Sequence, residues 1–131
     1  MSVSSKVIYP ELSYKILGVA FQTFNELGYG VSEKYYQRVF ARKMEEAGAP
    51  FVREQMINLH YKNQSIGRYF LDFIVDGKIV IELKVKPKLG YTHIKQVMDY
   101  LKITSCKLAI LIYFTRDGVK YRRVLNAAAA L

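Results

Sequence analysis

Asp72 and the triplet Glu82-Leu83-Lys84 lie in two apolar runs, RYFLDFIV and KIVIELKV, joined through Asp76-Gly77. Runs this rich in Ile, Val and Phe read as buried strands, so their charged members call for an explanation. Two carboxylates and an amine facing one another inside a sheet repel or lose solvation unless something joins them. A hard divalent cation joins carboxylates, and a phosphate beside that cation suits the lysine. That combination is the chemistry of metal-dependent phosphodiester hydrolysis. An isolated Glu-x-Lys is usually a surface ion pair, but an Asp at matching distance within apolar strands argues for a site.

Convergence depends on the turn. Residues two apart on a strand share a face, so Glu82 and Lys84 point one way and Ile81, Leu83 and Val85 the other. A two-residue Asp76-Gly77 loop pairs Val75 with Lys78 and leaves Asp72 beside Ile81, on the wrong face. A three-residue loop, Val75-Asp76-Gly77, pairs Ile74 with Lys78 and sets Asp72 against Val80, diagonal to Glu82. The metal reading needs the second arrangement or another loop of odd length. Asp72 and Glu82 then supply oxygens to Mg2+ or Mn2+, the Leu83 carbonyl is a further ligand, and Lys84 orients the attacking water and offsets transition-state charge.

Other residues join this set. Glu33 falls in the first turn of a helix, where a carboxylate complements the helix dipole; its functional reading is a third carboxylate on the metal or its water. Gln96 and Tyr100 share a helix face with His93. Gln96 offers a donor and an acceptor to a phosphate, and Tyr100 stacks on a base or bonds a phosphate. A hard cation prefers oxygen, which disfavours His93 as a ligand. The eleven tyrosines read mostly as half-buried packing, and Cys106 as a small hydrophobe at a strand entrance.

The elements that must position these residues follow from periodicity. Apolar positions from Glu11 to Leu27 recur at helical spacing, and Gly28 and Gly30 end that helix. Ser32 suits the N-cap of a second helix, which Gly48 and Pro50 stop. Phe51–Tyr61 reads as a strand, residues 62–67 as a polar connection, and Arg68–Val75 with Lys78–Val85 as a hairpin. Thr92 suits the cap of a helix running to about Thr104. Lys107–Phe114 and Val119–Val124 read as strands with Asp117-Gly118 between them. The order α-α-β-β-β-α-β-(β) gives an α/β fold, a mixed sheet with helices on its faces.

At 131 residues, 51% of them apolar, the chain is expected to form one domain with its own core. Its longest apolar run, Leu108–Phe114, is too short for a bilayer, Met1–Pro10 lacks a leader's apolar stretch, and one cysteine excludes an internal disulfide. A soluble, cytoplasmic protein without a membrane partner is the expectation. Ala127–Leu131 reads as a vector-derived remnant. The net charge is +9, and residues 66–131 hold 12 Lys/Arg against 5 Asp/Glu. Surplus base, with Lys84, Lys86, Lys88, Lys95, Lys102 and Lys107 expected near the acidic site, points to nucleic acid. Among these, Lys86, Lys88 and Lys95 are the candidate nucleic-acid contacts.

These residues resemble the PD-(D/E)XK nuclease superfamily, and within it the family named for a GxxExxY signature, here Gly30-Val31-Ser32-Glu33-Lys34-Tyr35-Tyr36. ELSYKILGVAFQTFNELGYG looks like that family's first helix, and RYFLDFIVDGKIVIELK with HIKQVMDYLKIT like its catalytic hairpin and next helix. The resemblance covers about Glu11 to Val124. It implies a restriction-endonuclease-like αβββαβ core and divalent-metal hydrolysis, with Glu33, Asp72, Glu82 and Lys84 in the catalytic positions. Gln96 and Tyr100 match the Q-x-x-x-Y motif of RecB-like and lambda-exonuclease-like members, which implies DNA ends or single strands as substrate. The proline that names the superfamily is replaced by Leu71. So small a domain offers little surface to a duplex, hence an expected homodimer. The alternatives are a Holliday-junction-type structure-specific endonuclease and a catalytically silent module binding nucleic acid or a partner.

Overall fold

The computed structural model describes residues 8–88, 90 and 94–126. The Thr92 cap, His93 and Ala127–Leu131 lie outside the described residues. The order is α1 (Pro10–Leu27), α2 (Glu33–Glu46), β1 (Phe51–Tyr61), β2 (Gln64–Val75), β3 (Ile79–Val85), α3 (Ile94–Thr104), β4 (Leu108–Thr115) and β5 (Gly118–Leu125). The strands form one mixed sheet in the order β1-β2-β3-β4-β5. Only β3 and β4 run parallel, joined through α3 as a parallel connection requires. The fold is α/β, a five-stranded mixed sheet flanked by helices.

Each face of the sheet carries its own apolar cluster. On one side Ile16 and Ala20 of α1 and Tyr36, Phe40 and Met44 of α2 cover Phe73, Ile79, Ile81, Leu83 and Ile110. On the other, Val97, Tyr100 and Leu101 of α3 cover Leu71, Val80, Leu111 and Tyr113. Covered on both faces, every residue of β4 is buried. Tyr36 and Phe114 stack at 4.4 Å between ring centroids, and Phe24 stacks on Phe114 at 6.2 Å. The Tyr36 hydroxyl donates to the Gly28 carbonyl, tying the start of α2 to the end of α1. Gly28 ends α1 with φ 66°, which suits a residue without Cβ.

Three details depart from the sequence reading. The polar connection after β1 is only Lys62-Asn63, both left-handed (φ 50° and 67°), so β2 begins at Gln64. Two such residues make the tight hairpin turn whose twist matches the strands, and they extend the hairpin into an exposed arm. Ser32 stands at the start of α2 in extended conformation, but its side chain makes no capping bond. The β2–β3 loop is three residues long, yet it is Asp76-Gly77-Lys78: Asp76 and Gly77 are both left-handed (φ 52° and 63°), and Lys78 is the added residue. Asp tolerates this conformation. Val75 therefore pairs with Ile79 and Phe73 with Ile81, which sets Asp72 opposite Glu82 rather than diagonal to it.

Phe114 joins both helices to β4, so Phe114→Ala should destabilise the protein by about 3–5 kcal/mol. Urea denaturation checks this; a loss below about 1 kcal/mol would mean that the stack contributes little to the core.

Candidate active site

The site begins where the sheet opens. The β2–β3 ladder ends at Phe73↔Ile81. On the other side, the β1–β2 ladder passes from Arg53↔Phe73 to Gln55↔Leu71, so Asp72 is paired in neither. Glu54, its counterpart on β1, has a left-handed backbone (φ 53°). The strand changes face across this break: Tyr69 and Leu71 pack with the α3 cluster, and Phe73 and Val75 with the α1–α2 cluster. A break in alternation of this kind re-aims a side chain.

Asp72 and Glu82 use the backbone groups that the ladder releases. The Asp72 N–H donates to Glu82 Oε2 at 2.8 Å, and the Leu83 N–H donates to Asp72 Oδ2 at 2.8 Å. The remaining oxygens are held from the two layers. Gln37 Nε2 of α2 donates to Asp72 Oδ1 at 3.3 Å, and the Tyr69 hydroxyl donates to Glu82 Oε1 at 2.7 Å. Tyr69 in turn stacks on Tyr100 of α3, centroids 4.4 Å apart. The two carboxylates therefore meet in the plane of the sheet, one anchored to each helical layer.

Electrostatics makes this the most loaded point of the molecule. Glu82 is 1% exposed. Burial first, then the Glu82 charge, pushes Asp72 up to about 7; the Leu83 N–H and the Lys84 charge oppose that shift. Burial likewise raises Glu82, against hydrogen bonds from Asp72 and Tyr69 and the Lys84 charge. The negative charge of Glu33, the first residue of α2, raises both. Tyr69 is raised by burial and by Glu82, and so stays a proton donor to that carboxylate. Lys84 shares the α3 face with Glu82, their β4 partners being Tyr113 and Leu111 of that cluster. The ion pairs among the described residues are Lys43–Glu26 and Lys78–Asp76, so Glu82 and Lys84 do not form one.

The fold thus gathers Asp72 and Glu82, with Glu33 and Lys84 within electrostatic reach. Among the described residues no three His, Cys, Asp or Glu side chains gather closely enough to hold a metal unaided. Asp72 and Glu82 nonetheless suit a hard cation: each carboxylate has about four acceptor positions and uses two on neutral donors. In an extended strand the N–H and C=O of one residue point to the same edge, so the Leu83 carbonyl is directed toward the gap as well. Gln96 and Lys95 are exposed on α3, and Lys86 and Lys88 on the segment after β3. Tyr100 is buried with its ring against Tyr69, so base stacking is closed to it and its link to the site runs through Tyr69. Lys102 and Lys107 are not near the site: Leu108, beside Lys107, pairs with Ile79 at the far end of β3, and the carbonyl of Leu101, beside Lys102, accepts from Asn126, next to Leu125, the β5 partner of Leu108. Gln37 and Tyr69 were not evident as site residues. Gln37 carries a faint signal, four residues after Glu33, whereas the break at Asp72 that lets Tyr69 reach Glu82 has none.

The raised Asp72 carboxyl has a consequence for the metal-free protein. Between the unfolded value near 4 and about 7, the folded state keeps a proton that the unfolded chain has released, so stability falls as pH rises through that window. Asp72→Asn should remove this slope and stabilise the protein on the order of 2 kcal/mol at pH ~8, with little difference near pH ~4. Urea denaturation in EDTA across that range tests it; parallel pH profiles for the two proteins would refute it.

A family model described as PD-(D/E)XK nuclease superfamily matches residues 10–124. No curated protein matches the chain. A solved structure, "Crystal structure of SSO0001", is similar with a TM-score of 0.49 and 16% sequence identity, over 90% of this chain and 81% of that one. Nucleases of this superfamily generally use divalent metal ions. No helix among the described residues is long and apolar enough to cross a membrane. With the family model spanning both helical layers and the whole sheet, the chain belongs to the PD-(D/E)XK nuclease superfamily.

Proposed function

We propose that this chain is a metal-dependent deoxyribonuclease of the GxxExxY kind, hydrolysing phosphodiester bonds at DNA ends or in single strands. The reciprocal carboxylate–amide bonds of Asp72 and Glu82 carry the reading: a half-buried and a buried acid held side by side, with repulsion that a cation would relieve. Asp72, Glu82 and the Leu83 carbonyl would hold Mg2+ or Mn2+, which supplies Lewis acidity at the scissile phosphate. Lys84, unpaired by Glu82, orients the attacking water and offsets charge on the phosphate as the transition state forms. Glu33, at the positive end of α2, accepts a hydrogen bond from that water. Gln37 and Tyr69 fix the carboxylates so that little reorganisation is needed at the moment of reaction. Gln96, Lys86, Lys88 and Lys95 bind phosphates alongside, and Tyr100 acts from beneath through Tyr69. The preference for ends or single strands rests on the Gln96–Tyr100 motif.

End-labelled single-stranded, duplex and junction DNA, incubated with Mg2+, Mn2+ or EDTA, tests the assignment. Cleavage should need metal and fall at least about 100-fold in Lys84→Ala. Product ladders from free and blocked ends separate digestion from ends from junction cleavage. Absence of cleavage on every substrate, with DNA binding equal in the two proteins, would leave a silent binding module.

We also propose a homodimer. Its support is the edge strand β1 and an uncovered apolar surface on the hairpin arm, where Met56 pairs with Phe70 and both are exposed. Size exclusion with light scattering should give a species near twice 15.2 kDa; a monomer alone would remove the dimer without touching the chemistry.

A further inference from the structure

We infer that α2 carries a track for the phosphodiester backbone, on the stripe next to the one that serves the carboxylates. The inference rests on the nuclease reading for what the track serves. Glu33 and Gln37, four apart, turn one stripe of α2 toward Asp72. Lys34 and Arg38 each follow one residue later, and Arg42 one turn further, so these three form a parallel stripe about 100° around the helix. All three are exposed. Between them stands Tyr35, 43% exposed, with Lys34 Nζ 5.2 Å and Arg38 Cζ 5.6 Å from its ring centroid.

The contacts with the Tyr35 ring offset only part of what this arrangement costs. Like charges four apart on a helix repel, and Lys34 stands at the end of α2 where the dipole disfavours a cation. The ion pairs among the described residues involve none of the three. A polyanion resolves the conflict, because its phosphates neutralise the stripe and release their own counterions. The cations recur at steps of about 6 Å along the axis, the scale on which phosphates follow one another along a strand. Tyr35 adds an aromatic surface on which a base can stack. Glu45 and Glu46 close the stripe at the C-terminal end of α2, so the basic stretch lies toward the end that holds Glu33. The lysines after β3 and on α3 belong to the rest of the site, so this track gives the strand a second line of contacts on the α1–α2 layer.

The test measures binding without turnover. Fluorescein-labelled single-stranded and duplex oligonucleotides are titrated by anisotropy in EDTA at several salt concentrations. Wild type is compared with Lys34→Gln/Arg38→Gln/Arg42→Gln and with Lys78→Gln/Lys102→Gln/Lys107→Gln. The second variant removes the same three charges from the far end of the sheet, where Lys78 lies in the β2–β3 turn and Cys106 approaches Gly77. All six positions are exposed. The stripe variant should lose about three units of salt slope, and on the order of tenfold or more in affinity at low salt, with the far-end variant close to wild type. Equal losses in the two variants would reduce the effect to net charge and overturn the track. Unchanged binding in the stripe variant would overturn it too, and so would a wild type that binds no oligonucleotide. Because no cleavage is read, failure of the hydrolysis assignment and failure of the track give separate results.

Discussion

The rest of the structure is arranged around a place where a sheet is not allowed to close. Beyond Phe73 and Ile81 the β2–β3 ladder stops, and each strand's freed amide is taken by the other strand's carboxylate. A buried amide needs an acceptor, and a buried carboxylate needs donors. At this fork the two needs meet each other. The acids thereby act as substitutes for ladder carbonyls, which is why two negative groups can stand in a sheet whose other inward members are apolar.

That substitution leaves an imbalance of charge, and the helices are placed to contain it. Four neutral hydrogen bonds orient the oxygens without cancelling the two charges, so burial, with the Glu82 charge on Asp72 and the Glu33 charge on both, raises the two carboxyls above the ordinary carboxylate range. The layer of α1 and α2 reaches Asp72 through Gln37, and the α3 layer reaches Glu82 through Tyr69 and Tyr100. Neither helix could shift on its core without moving one carboxylate relative to the other. Position is thus fixed by packing on both faces, and charge is left for a ligand to neutralise. This is how a preorganised site differs from an ion pair that satisfies itself.

Much of this was legible because periodicity is local. The helices, the five strands and their order follow from apolar spacing, and Phe51–Tyr61 spans the same residues in sequence and structure. The acids in the RYFLDFIV and KIVIELKV runs were conspicuous for being charged among apolar neighbours. The register was not legible, because Val75 and Lys78 flank the Asp76-Gly77 turn and either could have been the added loop residue. The face change at Asp72 was hidden for a related reason: it comes from a left-handed Glu54 on another strand, and nothing in the RYFLDFIV pattern announces it. Tyr69 therefore looked like packing. Tyr100 was expected to meet a base or a phosphate, but its ring went to the core, since stacking on Tyr69 covers apolar surface that a base contact would leave wet. Gln64–Gly67 read as a loop because its residues are polar, whereas an exposed arm can hold polar residues in a paired strand.

The three-residue turn Asp76-Gly77-Lys78 has a role that its remoteness conceals. Surface loops ordinarily accept insertions and deletions. This one sets the parity of the hairpin, and a slip of one residue carries every side chain of a strand to the opposite face. Adding or removing a single residue there would leave the strands as apolar in composition as before, yet it would separate Asp72 from Glu82. The turn is in effect a ruler whose length is written into the chemistry at the other end of the hairpin. Drift in its length is closed off as firmly as a change to the acids themselves, although no atom of the turn touches them.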